Sequence, residues 1–137
     1  QVVHNSNASD VALTNDTSTF STAITADITP RATSSKILIL LEGAGDVQNG
    51  NYRALYWRIL RDSTQIKPMS YHMYDANEQN HNIDAITLHT LDSPSTTSQI
   101  TYSIQARHTS GSSTSGTYNG YVNRYNTTRV TLFEIAG

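Results

Sequence analysis

The chain contains no cysteine, so neither a disulfide framework nor a thiolate metal site can stabilise it. Stability must come from packing or from assembly with other chains. Charged residues make up only 15% of the sequence and the net charge is -2. With so little charge and no basic run, the chain is not expected to bind nucleic acid.

Long apolar runs are also absent. No stretch of 18 apolar residues occurs, and no charged leader precedes an apolar segment, so we expect neither membrane insertion nor a secretion signal. The sequence begins at Gln1 rather than Met, which suggests a processed chain or a piece of a longer protein.

Helical periodicity is missing throughout, whereas residues that favour strands and turns are abundant. Ser and Thr account for 35 of the 137 residues and Asn for another 11. Such a composition is typical of strands with hydroxyl-bearing solvent faces, joined by turns in which Asn and Ser side chains bond the backbone. A chain of this length is expected to form one domain with one core.

Two stretches organise the predicted fold. Residues 36 to 42 contain five consecutive branched aliphatic residues, which alternation cannot explain, so we predict a central strand with both faces out of water. Residues 100 to 107 alternate cleanly, which predicts a strand that buries Ile100, Tyr102, Ile104 and Ala106.

Further strands are predicted from alternation. Residues 19 to 28 should place Phe20 on the core side with Ile24 and Ile28, and residues 52 to 61 should bury Leu55, Trp57 and Ile59. A tight turn is expected at Asp62 and Ser63. Shorter strands are predicted at 70 to 74, 85 to 91 and 128 to 136, and irregular connections at 43 to 51, 75 to 84 and 108 to 126.

About eight strands separated by turn signals predict an all-β, jelly-roll-like antiparallel sandwich. Residues 1 to 18 are expected to be an N-terminal arm or edge strand, and residues 19 to 137 a single sandwich domain. Three predicted strands, at 36 to 42, 52 to 61 and 128 to 136, carry more apolar or aromatic surface than one core needs. We therefore expect an oligomer interface on a spare face that contains Tyr52, Tyr56 and Leu60.

Residues with catalytic or metal-binding potential do not form a recognisable motif. The five histidines form no closely spaced pair, and the sequence has no nucleophile elbow and no phosphate loop. Asp75, Glu78, His81 and Asp84 could present oxygen ligands to calcium, but they lack the regular spacing of a calcium loop, so a solvated loop is favoured. We expect no catalytic residue, no metal and no cofactor.

The C-terminal third is rich in tyrosine and amide side chains. Tyr combined with Asn, Ser and Gly is typical of recognition surfaces, because Tyr offers contact area at low entropy cost. A glycan is a plausible ligand, since sugar faces stack on aromatic rings. Filling a subunit interface or covering a strand edge is the alternative. The candidate ligand-binding residues are Tyr118, Asn119, Tyr121, Asn123 and Tyr125.

Several segments, taken in order, resemble a known family. The sequence is similar to the C-terminal domain of virion fibre proteins of tailed bacteriophages, especially phages of aquatic bacteria and cyanobacteria. The resemblance runs from about residue 19 to the end. It rests on Ile28-Thr29-Pro30, Thr33-Ser34-Ser35-Lys36-Ile37-Leu38-Ile39, Tyr56-Trp57-Arg58-Ile59-Leu60-Arg61-Asp62-Ser63-Thr64-Gln65-Ile66, Leu91-Asp92-Ser93-Pro94-Ser95-Thr96-Thr97-Ser98, Tyr102-Ser103-Ile104-Gln105 and Thr131-Leu132-Phe133-Glu134-Ile135-Ala136-Gly137.

The resemblance implies a jelly-roll sandwich within a homotrimeric appendage on the outside of a virion. It carries no enzymatic activity and no shared binding motif. The expected function is a non-enzymatic fibre module that binds a host surface glycan or protein. The alternative is a structural capsid decoration or fibre-assembly subunit that contacts other virion proteins. A polysaccharide-cleaving enzyme is a third reading, for which no carboxylate pair stands out.

Overall fold

A computed structural model describes residues 1–13, 18–48, 53–75, 81–110, 119–124 and 126–137 of the chain. These residues form antiparallel strands arranged in two sheets. The strands are β1 (Val2–Asn7), β2 (Val11–Leu13), β3 (Ser21–Ile28), β4 (Lys36–Gln48), β5 (Arg53–Arg61), β6 (Thr64–Asp75), β7 (His81–Asp92), β8 (Ile100–Ser110), β9 (Asn119–Val122) and β10 (Thr128–Ile135).

The order of the strands defines the fold class. The larger sheet runs β1-β10-β4, and β4 continues on its other side to β7, while the smaller sheet runs β3-β8-β5-β6. Two four-stranded layers with the orders β1-β10-β4-β7 and β3-β8-β5-β6 form a jelly roll. The short strands β2 and β9 pair with each other, and β9 extends the larger sheet along the second half of β4. The predicted jelly-roll-like sandwich is therefore confirmed.

The core lies between the two sheets and is made by alternate residues of the strands. The predicted inward residues Leu55, Trp57 and Ile59 are fully buried, as are Tyr102 and Ile104. From the larger sheet, the inward residues are Ile37, Ile39, Leu41, Val47, Val130 and Leu132. These alternations were readable in the sequence because each inner face meets an apolar layer.

The prediction that both faces of β4 are out of water is wrong for the single chain. Strand β4 does lie at the centre of the larger sheet, between β10 and β7. Of the five consecutive aliphatic residues, Ile37, Ile39 and Leu41 point into the core, whereas Leu38 and Leu40 lie on the outer face, where Leu40 is 39% exposed. A sandwich has only two layers, so the outer face of a central strand stays open unless another element covers it.

The predicted irregular connection at 43 to 51 is also wrong in its first part, because β4 continues through the glycines to Gln48. A Cβ atom at Gly45 would collide with the side chain of Leu55, and one at Gly43 would lie 2.7 Å from Thr128 Oγ1. Glycine occurs in this strand because neighbouring groups pack closely against the backbone, and not because the chain turns there.

A bulge in β3 overturns the predicted placement of Phe20. The register with β8 shifts between Thr22 and Ile24, so both Ala23 and Ile24 are buried. The extra residue reverses the alternation for everything before it. Phe20 consequently lies on the outer face of the smaller sheet. Asn7 of β1 donates a hydrogen bond from Nδ2 to the carbonyl oxygen of Ala23 at this bulge, over 2.8 Å.

The turns and termini complete the roll. The predicted tight turn is confirmed, since β5 ends at Arg61, β6 begins at Thr64, and Asp62 has φ of 50°. The irregular regions predicted at 75 to 84 and 108 to 126 are wrong where β6, β7, β8 and β9 extend into them, and residues 76–80, 111–118 and 125 lie outside the described residues. Within residues 1 to 18, β1 pairs with β10 at the sheet edge and β2 pairs with β9. The boundary between residues 18 and 19 stays a prediction.

Candidate functional site

The outer face of the larger sheet carries exposed apolar side chains. The pairing registers place Val2, Phe133, Leu38 and Leu91 side by side across four strands. Leu91 is 52% exposed and Val2 is 61% exposed. We call this surface the apolar face, and it consists of Val2, Leu38, Leu40, Leu91, Phe133 and Ile135.

Polar residues border the apolar face on one side. The next row across the sheet is His4, Thr131, Leu40 and His89, and His4 Nδ1 lies 3.0 Å from Thr131 Oγ1. The row beyond it contains Arg129 and Glu42, whose side chains form an exposed ion pair at 3.5 Å. A groove of about 290 Å³ runs over these rows, and its lining includes Leu40, Glu42, Thr87, His89 and Arg129. An apolar row with a charged border is typical of a protein contact surface.

The outer face of the smaller sheet is organised differently, because its own side chains cover it. The guanidinium carbon of Arg58 lies 3.9 Å from the centre of the Phe20 ring, and that of Arg107 lies 4.2 Å from the centre of the Tyr56 ring. Arg58 also donates from Nε and Nη2 to Oε1 of Gln105, over 2.8 and 2.6 Å. We call this group, Phe20, Tyr56, Arg58, Gln105 and Arg107, the arginine-aromatic cluster.

Burial is the main consequence of this stacking. Arg107 is only 5% exposed although it points away from the core. Burial, together with the nearby charge of Arg107, lowers the pKa of Arg58. Two stacked cations over aromatic rings hold the cluster in place, and Phe20 and Tyr56 are both half-buried.

The predicted oligomer interface falls partly on this cluster. Tyr56 and Leu60 do lie on the outer face of the smaller sheet, and both are half-buried. Tyr56 stacks with Arg107 within the chain. Tyr52 lies outside the described residues. The surplus apolar surface predicted for the strands at 36 to 42 and 128 to 136 lies on the apolar face, which includes the exposed Leu40 and Ile135. The use of either face as an interface stays a prediction.

The predicted ligand-binding group is only partly described. Tyr118 and Tyr125 lie outside the described residues, and for Asn119 only the backbone in β9 is described. Tyr121 is half-buried in β9, and the guanidinium carbon of the exposed Arg124 lies 4.4 Å from the centre of its ring. The binding role of these residues stays a prediction.

Asn123 has a structural position within the same group. It is buried with φ of 74°, a left-handed conformation that Asn tolerates better than most residues. Its Nδ2 donates to the carbonyl oxygen of Ser9 over 2.9 Å, and its Oδ1 accepts from the backbone nitrogen of Thr128 over 3.0 Å. These bonds join the turn after β9 to the start of β10, so the amide is used within the chain.

A partly buried polar contact joins the two sheets at one end. Asp92 of β7 accepts a hydrogen bond from the Tyr102 hydroxyl over 2.8 Å, and it pairs with Nη1 of Arg61 at 2.9 Å. Burial, followed by the hydrogen bond to Asp92, raises the pKa of Tyr102. Because Arg61 and Tyr102 belong to the smaller sheet, this contact crosses the sandwich.

Histidines contribute no metal site in the described part of the chain, where no group of three or more His, Asp or Glu residues could hold an ion. His108 is fully buried between the sheets, and a Cβ atom at Gly120 would lie 2.5 Å from its Cδ2. Burial lowers the pKa of His108 to about 4, against the opposing effect of the Leu13 backbone. The predicted calcium candidates at 75 to 84 lie outside the described residues and side chains.

Among the residues with a described structure, no helix is long and apolar enough to cross a membrane. No protein-family model matches the chain, and no curated protein sequence matches it.

Solved structures with the same fold come from a virus. A structure of the infectious bursal disease virus Gx strain aligns with a TM-score of 0.54 at 12% identity, covering 97% of this chain and 33% of that one. A VP2 subviral particle of the same virus aligns with a TM-score of 0.53 at 13% identity, covering 100% and 33%. A mutant VP2 protein from derived T=1 particles aligns with a TM-score of 0.55 at 10% identity, covering 97% and 31%.

These alignments define the class of fold. The chain is a jelly-roll β-sandwich of the kind found in these viral proteins, and it spans about a third of their length. At identities this low the likeness shows the fold alone.

Proposed function

We propose that this chain is a non-enzymatic structural module of a virion, which assembles with further copies or with other virion proteins through the apolar face. The observation that carries the proposal is the row of Val2, Phe133, Leu38 and Leu91 on the outside of a jelly roll. Contiguous exposed apolar rows are uncommon on monomeric proteins and mark contact surfaces. The fold shared with viral particle proteins supports the same reading.

The sequence resemblance suggests a more specific setting. A fibre or other appendage of a tailed bacteriophage would place the module outside the particle, as a homotrimer. Solution mass by light scattering across a dilution series tests the assembly. A species near three times the chain mass of 15.1 kDa would support the trimer. The virion role would be contradicted if the chain stays monomeric at every concentration and also fails to associate with purified virions.

Host recognition is a second candidate function, favoured by the Arg124 and Tyr121 pair. Arg124 is exposed and its guanidinium is stacked on the Tyr121 ring, which presents a cation and an aromatic edge at one end of the sandwich. Such a pair suits a glycan or protein on a host surface. The test is binding of labelled domain to susceptible cells, with Arg124→Ala as the variant and Arg31→Ala, at another exposed site, as the matched control.

The two candidates make different predictions for variants. Arg124→Ala should reduce cell binding several-fold and leave the solution mass unchanged. Equal binding of both variants, or no competition between the domain and virion adsorption, would remove the recognition role.

A further inference from the structure

We propose that the apolar face forms a twofold contact between two copies of this chain, in which β4 of one copy packs antiparallel across β4 of the other. The inference rests on the proposed assembly role of this face, and it specifies the partner and the geometry. A homotrimer would use a different surface, because a twofold contact joins only two copies. It starts from the outward side chains of β4 alone.

The outward residues of β4 have opposite charges at the two ends and leucines between them. When a second copy of β4 lies antiparallel to the first, each charge therefore faces the opposite charge. The outward residues are Lys36, Leu38, Leu40 and Glu42, each two residues from the next, while Ile37, Ile39 and Leu41 point into the core. Side chains two residues apart are separated by about 6.6 Å along a strand, so the two charges lie about 20 Å apart with the leucines between them. Lys36 and Glu42 are both exposed.

A twofold axis explains why this order matters. Consider an axis that lies between the two copies, perpendicular to β4, at the midpoint between Leu38 and Leu40. The rotation reverses the strand direction, so Lys36 of one copy meets Glu42 of the other, and Leu38 meets Leu40. Both charge pairs form at once, because the contact is isologous. No like charges of β4 meet in this arrangement.

The neighbouring strands fit the same axis. The rotation places the row of Val2, Phe133 and Leu91 over the row of His4, Thr131 and His89 in the second copy. The groove of about 290 Å³ beside Leu40 then faces Leu38 of the other copy, which supplies an apolar side chain to fill it. Phe133 and Leu91 lose their exposure to water, which drives the association.

The area of the contact sets its expected strength. Four strands spaced about 4.8 Å apart, over about 20 Å of length, give a face of roughly 400 Å² per copy. A stable interface between proteins buries about 800 Å² per partner. We therefore expect a reversible dimer that is visible at high concentration, and that becomes persistent only when many copies are held together in a particle.

Charge reversal tests the proposed geometry directly. Lys36→Glu and Glu42→Lys should each weaken self-association by about tenfold or more, because every contact then brings two like charges together. Mixing the two single variants should restore association as a mixed dimer near 30 kDa, twice the chain mass of 15.1 kDa. The double variant Lys36→Glu with Glu42→Lys should also recover the dimer. Analytical ultracentrifugation measures all four.

Two controls separate this geometry from other causes. Arg129→Gln removes the ion pair that Glu42 makes within the chain and should leave the dimer within about twofold of its original strength. Lys67→Glu makes the same change on β6 of the smaller sheet and should have no effect. Thermal unfolding at low concentration checks that each variant is folded.

Several results would overturn the inference. A dimer that Glu42→Lys weakens and Lys36→Glu does not would indicate a contact through Arg129, with the strands crossing in another direction. A trimer insensitive to both changes would place self-association on a different surface. In either case the proposed virion role survives if the variants still bind purified virions. If the wild-type chain neither associates with itself nor binds purified virions, both proposals are contradicted.

Discussion

The two outer faces of the sandwich both carry more apolar or aromatic surface than the core needs, but they differ in how much of that surface the chain itself covers. On the smaller sheet, Arg58 and Arg107 stack on Phe20 and Tyr56, so the face is covered within one chain. On the larger sheet, no described residue covers Leu40 or Leu91, which are 39% and 52% exposed. One face is thus covered by side chains of its own sheet, whereas the other leaves apolar side chains open to water.

One inserted residue is responsible for part of that difference. The bulge at Ala23 reverses the direction of the side chains before it, and Phe20 thereby comes to lie over the arginines rather than in the core. Strand β10 of the larger sheet keeps its alternation from Thr128 to Leu132, so Phe133 follows the regular pattern and remains on the outside. Covered and uncovered faces thus arise from local register as well as from composition.

Both outer faces exist only while the two sheets are packed together. The largest expected change in the free energy of unfolding therefore comes from a contact that joins the two sheets. Asp92→Ala should lower the free energy of unfolding by about 3 kcal/mol, because it leaves the buried Tyr102 hydroxyl and Arg61 without their shared partner. Urea unfolding measures the loss. Asp27→Ala, which removes an exposed bond to Thr101, should cost less than about 1 kcal/mol. Equal losses of unfolding free energy in the two variants would show that the Asp92 contact stabilises the chain no more than the exposed bond between Asp27 and Thr101.

Lowering the pH should reduce the free energy of unfolding, because a buried histidine lies between the two sheets. His108 is neutral in the folded chain, with a pKa lowered to about 4, while an unfolded histidine titrates near 6.5. Between these values the unfolded chain binds more protons, so stability should fall as the pH falls from about 6.5 to 4, by up to about 3 kcal/mol. Chemical unfolding at several pH values measures the slope. His108→Leu should flatten that slope, and an unchanged slope would assign it to other groups.

Removing one ring from each face sharpens the comparison directly. Phe20→Ala should destabilise the chain by about 1 to 2 kcal/mol, because Arg58 and Arg107 both lose a stacking partner. Phe133→Ala, the matched change on the apolar face, should cost less than about 1 kcal/mol in the monomer. Thermal unfolding at low concentration measures both. A larger loss for Phe133 would mean that the apolar face is supported within the chain.

The smallest effect on stability is expected at the apolar face itself. Leu40→Ser should change the free energy of unfolding of the monomer by less than about 1 kcal/mol, since 39% of Leu40 is already exposed to water. It should nevertheless reduce self-association in light scattering. Thr22→Ser, on the exposed side of the smaller sheet, serves as the control. Undiminished association would show that the apolar face is not the contact.

Some parts of the site could be predicted from the sequence, and others could not. The inward residues of β5 and β8 were predictable, because alternation reports burial wherever one side of a strand faces a core. The apolar face was predictable in part, since the strands at 36 to 42 and 128 to 136 carry more apolar residues than one core needs. A run of five aliphatic residues does not show which side of the strand stays open, so burial on both sides was the wrong prediction. The arginine-aromatic cluster had no local signal, because Tyr56 and Arg107 lie on β5 and β8 and Phe20 lies just before β3.

The sequence by itself determined the class of fold, the main strands and most of the core, because strand alternation and turn residues are local properties of the chain. Tertiary structure alone decided which faces remain open. The bulge at Ala23, the close packing that requires Gly45, and the cross-strand rows of the apolar face all depend on the register between distant strands. Register is set by the packing of the whole sandwich, and a shift of one residue exchanges inside for outside.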